Sequence, residues 1–554
     1  MPAITHGLAS VGASVVPTPH LPSPHLLPSD IFHHLGQYSP WFPADTSSDY
    51  ADPPDQCAVT FVSQLERHGS RYPTAGAYRE LRKTLRQIAK HLERVPDTGK
   101  GVKATEGLDP HLKWLRRWVQ SKKSEDGGMR NRLGNSELTP YGQYEAYSSG
   151  WRFYEQYAHL FEAQQVDVNV DYDVESDRSG AHSNPWLDSI CAAPQTPAES
   201  SAWSTLQGRP AVLDDLKGGK PHRRIDHLPK PDVIIPEARK SDKLGQVASN
   251  NTLDVYTCSA FERDYRDNAR SPASIKTAAF AANATTAIRD RLASQLGVRK
   301  GGSKDRRGER IHLEPRQVLQ LFSLCAFDTV ARLDPYGLLY GDSKRNEDAV
   351  SPFCSLFKPE EYASIYEITT DMEKDYGFAA HNPLHRALAT PWLRELLARM
   401  EDRSPVMIPP TSINTTLDGD QRTFPVPSAK GPRAFADFTH DNQLAPIISA
   451  LNLWDEKHTW VTSTTTPFSG RLTVEKLECG KDEYVRILVN GQPASTSEGS
   501  WCPSSDDGFV LKGDQLCPLS TFLQPLKWVD HADEWDKCYS KKGKKVESSD
   551  ASFP

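Results

Sequence analysis

Two stretches far apart in the chain follow one order: an apolar, β-branched run, then a charged turn, then an amphipathic helix. The first is CAVTFVSQLERHGSRYPT (Cys57 to Thr74), followed by Tyr78, Leu81, Leu85, Ile88, Leu92 and Val95 at spacings of three and four. The second is AFADFTHDNQ, beginning at Ala434, followed by Leu444, Ile447, Ile448 and Leu451. The apolar runs read as buried strands, and the spacing that follows them marks one face of a helix. A strand that turns directly into a helix, twice, points to an α/β sheet. Both turns then lie at the carboxyl edge of that sheet, where such folds bind ligands.

The first turn, RHGSRYPT, carries more chemistry than a fold needs. Arg67 and Arg71 offer rigid forks of N–H donors that match phosphate oxygens. Gly69 lets backbone approach closely, and Pro73-Thr74 opens a helix whose N-terminus also favours an anion. His68 is the candidate nucleophile between the arginines, and two neighbouring cations let its imidazole stay neutral in mild acid. At ~5% usage per residue type, the five fixed positions of RHGxRxP arise by chance on the order of 10⁻⁴ times in such a chain. The second turn carries His440-Asp441. An Asp there is alone an ordinary helix cap, but beside the first turn it becomes a candidate proton donor.

With 554 residues the chain has room for two domains, one inserted in the other. Its net charge of -7 argues against a nucleic-acid partner. No apolar run approaches the ~20 residues of a membrane helix. The 9 cysteines, from Cys57 to Cys538, form no CxxC pair and no zinc pattern. Together with sequons at Asn250, Asn283 and Asn414, they point to a secreted, disulfide-bonded glycoprotein. The first thirty residues are broken by Pro17, Pro19, Pro22 and Pro24 and show no basic n-region with an unbroken apolar run. Either the export signal lies outside this sequence, the reading favoured here, or export takes another route.

The organisation expected is an extended N-terminal arm (1–55), an α/β domain from 56–170 and 400–540, and a mainly helical domain from 232–399. Helical stretches include HLKWLRRWVQ, PASIKTAAFAANATTAIRDRLASQLG, PRQVLQLFSLCAFDTVARL and LRELLARM. Residues 171–231 lose all periodicity and are crowded with Ser, Pro and Gly, so they read as a disordered insert. Residues 541–554 read as a disordered tail.

The motifs CAVTFVSQLERHGSRYPT, LTPYGQ, NNTLDVYTCSAFE, SPFCSLF, NPL and FADFTHDNQLAPIISALNLW, with LGQYSPWFP near the start, resemble the fungal, phytase-like branch of the histidine acid phosphatases. The resemblance covers roughly residues 30–165 and 232–540 in the family's order. RHG alone would also suit the phosphoglycerate-mutase relatives. The resemblance implies a large α/β domain with a central, mostly parallel sheet and flanking helices, beside a smaller inserted all-α domain. It implies that His68 becomes a phosphohistidine, that Arg67, Arg71 and His440 bind the phosphate, and that Asp441 protonates the leaving oxygen. Such chemistry needs no metal or cofactor and has an acid optimum. The implied substrate is phytate or another phosphate monoester, and the implied disulfides are Cys57–Cys479, Cys258–Cys538, Cys325–Cys354 and Cys502–Cys517. Cys191 is left over.

The family pattern breaks in one place. Relatives carry a further phosphate-binding arginine on a strand after the FYEQYAHLF helix, in a stretch like RxSGSDRVxxS. Here the stretch is VNVDYDVESDRSGAHS: Arg178 takes the second arginine's place, and Tyr172 stands where the ligand belongs. A sequence error and a divergent loop both account for the break. The competing functional reading is therefore a catalytically impaired, phosphate-binding secreted protein. Arg79, Arg82, Lys83 and Lys374 are the candidates for holding further substrate phosphates.

Overall fold

A computed structural model of the protein describes residues 30–42, 52–93, 95, 108–120, 138–161, 166–170, 232–234, 253, 255, 258–265, 271–297, 313–334, 349–403, 433–453, 460–496, 501–503 and 515–538. Among these, eight strands form one sheet: β1 (Cys57–Arg67), β2 (Val166–Val170), β3 (Asp232–Ile234), β4 (Ala434–Thr439), β5 (Arg471–Cys479), β6 (Asp482–Val489), β7 (Gln492–Pro493) and β8 (Cys517–Pro518). Their order is β3-β2-β4-β1-β5-β6-β7, with β8 also paired to β6. The half from β3 to β1 is parallel, as expected for an α/β domain. From β5 onward the pairing is antiparallel, so the sheet is mixed.

Both faces of the central pair are covered. Phe61, Leu65 and Phe435 pack against Trp392, Leu393, Leu396 and Leu397 of the helix His385–Met400. They also meet Leu444, Ile447 and Ile448 of the helix Asp441–Ala450. On the other face Val59, Val62, Ala434, Ala436 and Phe438 meet Phe153, Tyr157 and Leu160 of the helix Pro140–Phe161. A register irregularity between Val59 and Phe61 turns Val59 to the same side as Val62. Burial on both faces is what a parallel pair between helix layers requires.

The helical core lies beside the sheet. The helix Ala75–Leu92 buries Leu81, Leu85, Ile88 and Leu92 against Val318, Leu321, Phe322 and Cys325 of the helix Pro315–Arg332. Thr74 caps the first of these by accepting the Ala77 N–H at 3.2 Å.

Three segments link the parts of the chain in the structure. Residues 30–42, read as part of an extended arm, are folded, and Phe32, Leu35 and Trp41 enter the helical core. The helix His385–Met400, grouped with the helical part, covers the sheet instead. β3, placed at the start of that part, pairs with β2 in the sheet. Phe32, Leu35 and Trp41, and the apolar face of the helix His385–Met400, bury against chain segments hundreds of residues away. The four disulfides are Cys57–Cys479, Cys258–Cys538, Cys325–Cys354 and Cys502–Cys517, as the resemblance implied. Cys191, the insert 171–231 and the tail 541–554 lie outside the described residues.

Candidate active site

The two turns meet because β1 and β4 are neighbours in register. Arg67 pairs with Thr439, and the His68 N–H donates to the Thr439 carbonyl at 3.2 Å. Each strand therefore ends at the same level of the sheet, and the next residue of each is a histidine. The rings of His68 and His440 stand 5.1 Å apart at 73°. One residue further, Asp441 opens a helix and places a carboxylate 3.7 Å from Arg67 Nη2.

The RHGS turn is fixed by the start of the helix Pro140–Phe161. A Cβ on Gly69 would lie 2.2 Å from the Gly142 carbonyl oxygen, and one on Gly142 would lie 1.8 Å from the Ser70 oxygen. Only glycine at both positions allows that approach. The Ser70 carbonyl accepts the Thr139 N–H at 2.8 Å, and the Ser70 N–H donates to Glu145 Oε2 at 2.6 Å. LTPYGQYE, from Leu138 to Glu145, is thus the socket of the turn.

His68 is held in one tautomer. Its Nδ1 lies 2.8 Å from the Gly69 carbonyl oxygen, which only accepts, so Nδ1 carries the proton and Nε2 the lone pair. Nε2 is buried and has no hydrogen-bond partner among the described residues. Burial first, then Arg71, Arg67 and His440, push the imidazole well below its usual pKa, so it stays neutral in acid. His440 is pushed down to about 3 by burial and by Arg71, against the opposing pull of Asp441.

Arg67 is buried, and its orientation is set. Nη1 donates to the Gln37 and Thr466 carbonyls, the latter at 2.8 Å, and the guanidinium lies 4.5 Å over the Phe468 ring. Lys374, also buried, contacts the Asp441 carboxylate directly and donates to Asn442 Oδ1 at 2.6 Å. Burial alone would raise the Asp441 pKa. Arg67 and Lys374 outweigh it and hold the carboxyl far below the usual range. These two cations thus hold Asp441 as an anion.

Of the residues singled out from sequence, Arg67, His68, His440 and Asp441 converge. Arg71 is close enough to lower the pKa of both histidines. Lys374 contacts the proposed acid itself. Arg79, Arg82 and Lys83 lie exposed on the outer face of their helix, where Lys83 pairs with Glu80 at 2.6 Å. Sequence reading missed Gln37, Glu145, Glu367, Thr466 and Phe468. The LGQYSPWFP motif contains Gln37, and LTPYGQ ends two residues before Glu145. β2 flanks β4 as a parallel neighbour, Val170 pairing with Phe438. Tyr172 and Arg178 lie beyond it, outside the described residues.

Comparison with known proteins gives the family. The family model described as "Histidine phosphatase superfamily (branch 2)" matches residues 58–177 and 215–490. The gap between them contains Arg178 and Cys191. Phytase A of Aspergillus oryzae is 28% identical over 561 residues, 97% of this chain and 98% of its own. Phytase A of Neurospora crassa is 27% identical over 557 residues, 92% of this chain and 93% of its own. Among solved structures, the phytase from D. castellii superposes with a TM-score of 0.54 at 18% identity, covering 93% of this chain and 88% of its own. The Bifidobacterium longum multiple inositol polyphosphate phosphatase in complex with inositol hexasulfate gives 0.51 at 14%, covering 91% and 98%. These two likenesses speak for the fold.

Proposed function

The chain belongs to branch 2 of the histidine phosphatase superfamily, and from that premise we propose that it is a secreted acid phosphatase of the phytase type. Its substrates are phosphate monoesters, phytate among them. The observation that carries the reading is His68: a neutral, buried imidazole with Nδ1 protonated and an unpartnered Nε2, set beside Arg67 and His440.

His68 Nε2 attacks phosphorus and the bond to the ester oxygen breaks. Asp441 gives its proton to that oxygen, which leaves as an alcohol. Arg67, Arg71 and the His440 N–H hold the non-bridging oxygens as charge develops on them. Water then attacks the phosphohistidine, Asp441 takes its proton, and orthophosphate leaves with His68 restored.

A bound phosphate explains how Asp441 acquires its proton. The incoming anion engages Arg67 and adds negative charge beside the carboxylate, and both changes raise the Asp441 pKa. Proton uptake on binding then favours acid conditions. Four disulfides fit an oxidising compartment. Asn283, exposed at the end of its helix, suits a glycan.

Release of orthophosphate from an aryl phosphate near pH 5, with chelator present, tests the activity. Absence of turnover by folded, disulfide-intact protein would favour the second reading, a phosphate-binding protein without catalysis. The observation behind that reading is Tyr172, standing where relatives carry a phosphate-binding arginine.

A further inference from the structure

Two buried glutamates stand behind the site, and neither makes an ion pair among the described residues. Glu145 Oε2 accepts the Ser70 N–H of the RHGS turn at 2.6 Å, and its Oε1 accepts the Trp41 N–H at 2.9 Å. Glu367 Oε2 accepts the Gly36 N–H at 3.0 Å, and its Oε1 accepts the Ser463 N–H at 2.9 Å. Each carboxyl thus bridges the N-terminal segment to a segment of the site. One bridge lies at either end of residues 36–41. Between them, Gln37 offers its carbonyl to Arg67 Nη1, and Ser39 accepts the Phe468 N–H at 2.9 Å. The segment held by Glu367 on its far side runs on to Thr466, whose carbonyl takes the second Nη1 hydrogen at 2.8 Å.

We infer that Glu145 and Glu367 are positioning residues. They hold the segment 36–41 as a strap that saturates Arg67 Nη1, so that Nη2 is left facing Asp441 and the phosphate position. Glu145 also pins the peptide two residues after His68. Burying a carboxyl without a cation is costly, and hydrophobic packing would not ask for it. The pattern of donors does. Charged or protonated, both carboxyl oxygens keep a lone pair for their N–H. The amide of glutamine presents an oxygen on one side only and sets an NH2 against the other N–H. Backbone N–H groups from two separate segments at each residue therefore select for Glu.

The inference rests on the phosphatase reading for its effect on rate, though not for its effect on anion binding. Glu145→Gln and Glu367→Gln keep shape and volume. Each should lower kcat/KM for an aryl phosphate roughly 10- to 100-fold, the usual range for residues that orient a primary ligand, and should weaken orthophosphate binding measured by calorimetry. The loss should fall on kcat more than on KM, because misorientation costs most where charge develops.

A double-mutant cycle with Arg67→Lys separates positioning from loss of fold. Lysine has no fork to orient, so Glu367→Gln should cost about twofold or less in that background. Glu145→Gln should lose the part of its effect that passes through Arg67 and keep only the part that passes through the Ser70 N–H. Losses that multiply independently, or Gln variants with parental kcat, KM and orthophosphate affinity, overturn the inference. Should Glu145→Gln fail to fold, the Glu367→Gln arm decides. Were the parent inactive, the phosphatase reading would fail, while the orthophosphate cycle would still judge the strap.

Discussion

Lys374 Nζ touches the carboxylate of Asp441 in a buried ion pair, and the same carboxylate lies 3.7 Å from Arg67. The proposed proton donor is thus held ionised by two cations until something displaces their charge. Removing one of them has a direction. Lys374→Met takes away a cation that lowers the Asp441 pKa, so the pKa rises. The alkaline limb of the kcat profile should move to higher pH, with weaker orthophosphate binding alongside. An unmoved limb in pH-rate profiles of parent and variant would count against Asp441 as the acid.

The two catalytic roles separate kinetically. His68→Ala should abolish covalent labelling by a radioactive phosphate ester, since His68 Nε2, without a hydrogen-bond partner among the described residues, is the proposed attacking atom. Asp441→Asn should slow kcat by about 10²–10⁴-fold, the range of general acid catalysis. It should leave substrate dissociation within a few-fold of the parent, because only the proton is lost. Quenched-flow labelling and steady-state kinetics on the two variants read these outcomes. Equal labelling of parent and His68→Ala would remove the nucleophile assignment.

How much of this could be seen in the sequence follows from where each interaction lies. The two turns were legible because local order, strand into charged turn into helix, is written in consecutive residues. The face of the helix Ala75–Leu92 was legible for the same reason, through Leu81, Leu85, Ile88 and Leu92. The bridge from Gly36 to Glu367 spans 331 residues, and the one from Trp41 to Glu145 spans 104. No periodicity records such contacts. Residues 30–42 read as an arm because prolines surround them, whereas Phe32, Leu35 and Trp41 find their partners only in the folded helical core. The antiparallel half of the sheet was likewise invisible, since β5 earns its place only by pairing with β1 along almost its whole length.

The close approach of two glycines makes a stability prediction. Gly142→Ala would drive a Cβ to 1.8 Å from the Ser70 carbonyl oxygen, with backbone on both sides and no flexible side chain to yield. Overpacking of this kind costs about 1–3 kcal/mol. The denaturation midpoint should drop accordingly, and activity should fall further, because the atoms that must shift belong to the nucleophile's turn. Gly76→Ala, in the first turn of the following helix where the nearest other atom is 3.8 Å away, is the neutral control. A Gly142→Ala variant as stable and active as that control would contradict the packing described.

Several buried carboxyls set how stability depends on pH. Burial pushes Glu145 up to about 7 and Asp371 up to about 8, and it raises Glu66, Glu367 and Asp437 as well. A group whose folded pKa exceeds its unfolded value is protonated in the native state while the unfolded chain has already released its proton. Its contribution is complete below the unfolded pKa, about 4 for such groups, and is lost as pH rises through the folded value. Stability should therefore decline between about pH 5 and pH 8. Asp441 acts in the opposite sense, since its folded pKa is depressed and its contribution disappears only in strong acid. His68 and His440, also depressed, oppose the trend below about pH 6.5 but are outnumbered by the raised carboxyls. Thermal melts across pH 4 to 8 should show Tm falling by several degrees toward the alkaline end. Substituting Asp371→Asn should flatten that decline, because asparagine keeps an oxygen for the Thr462 N–H, now at 2.7 Å, without a charge to bury. A Tm that instead rises toward pH 8 would mean these carboxyls are ionised in the folded protein at no cost, and the burial argument would fail.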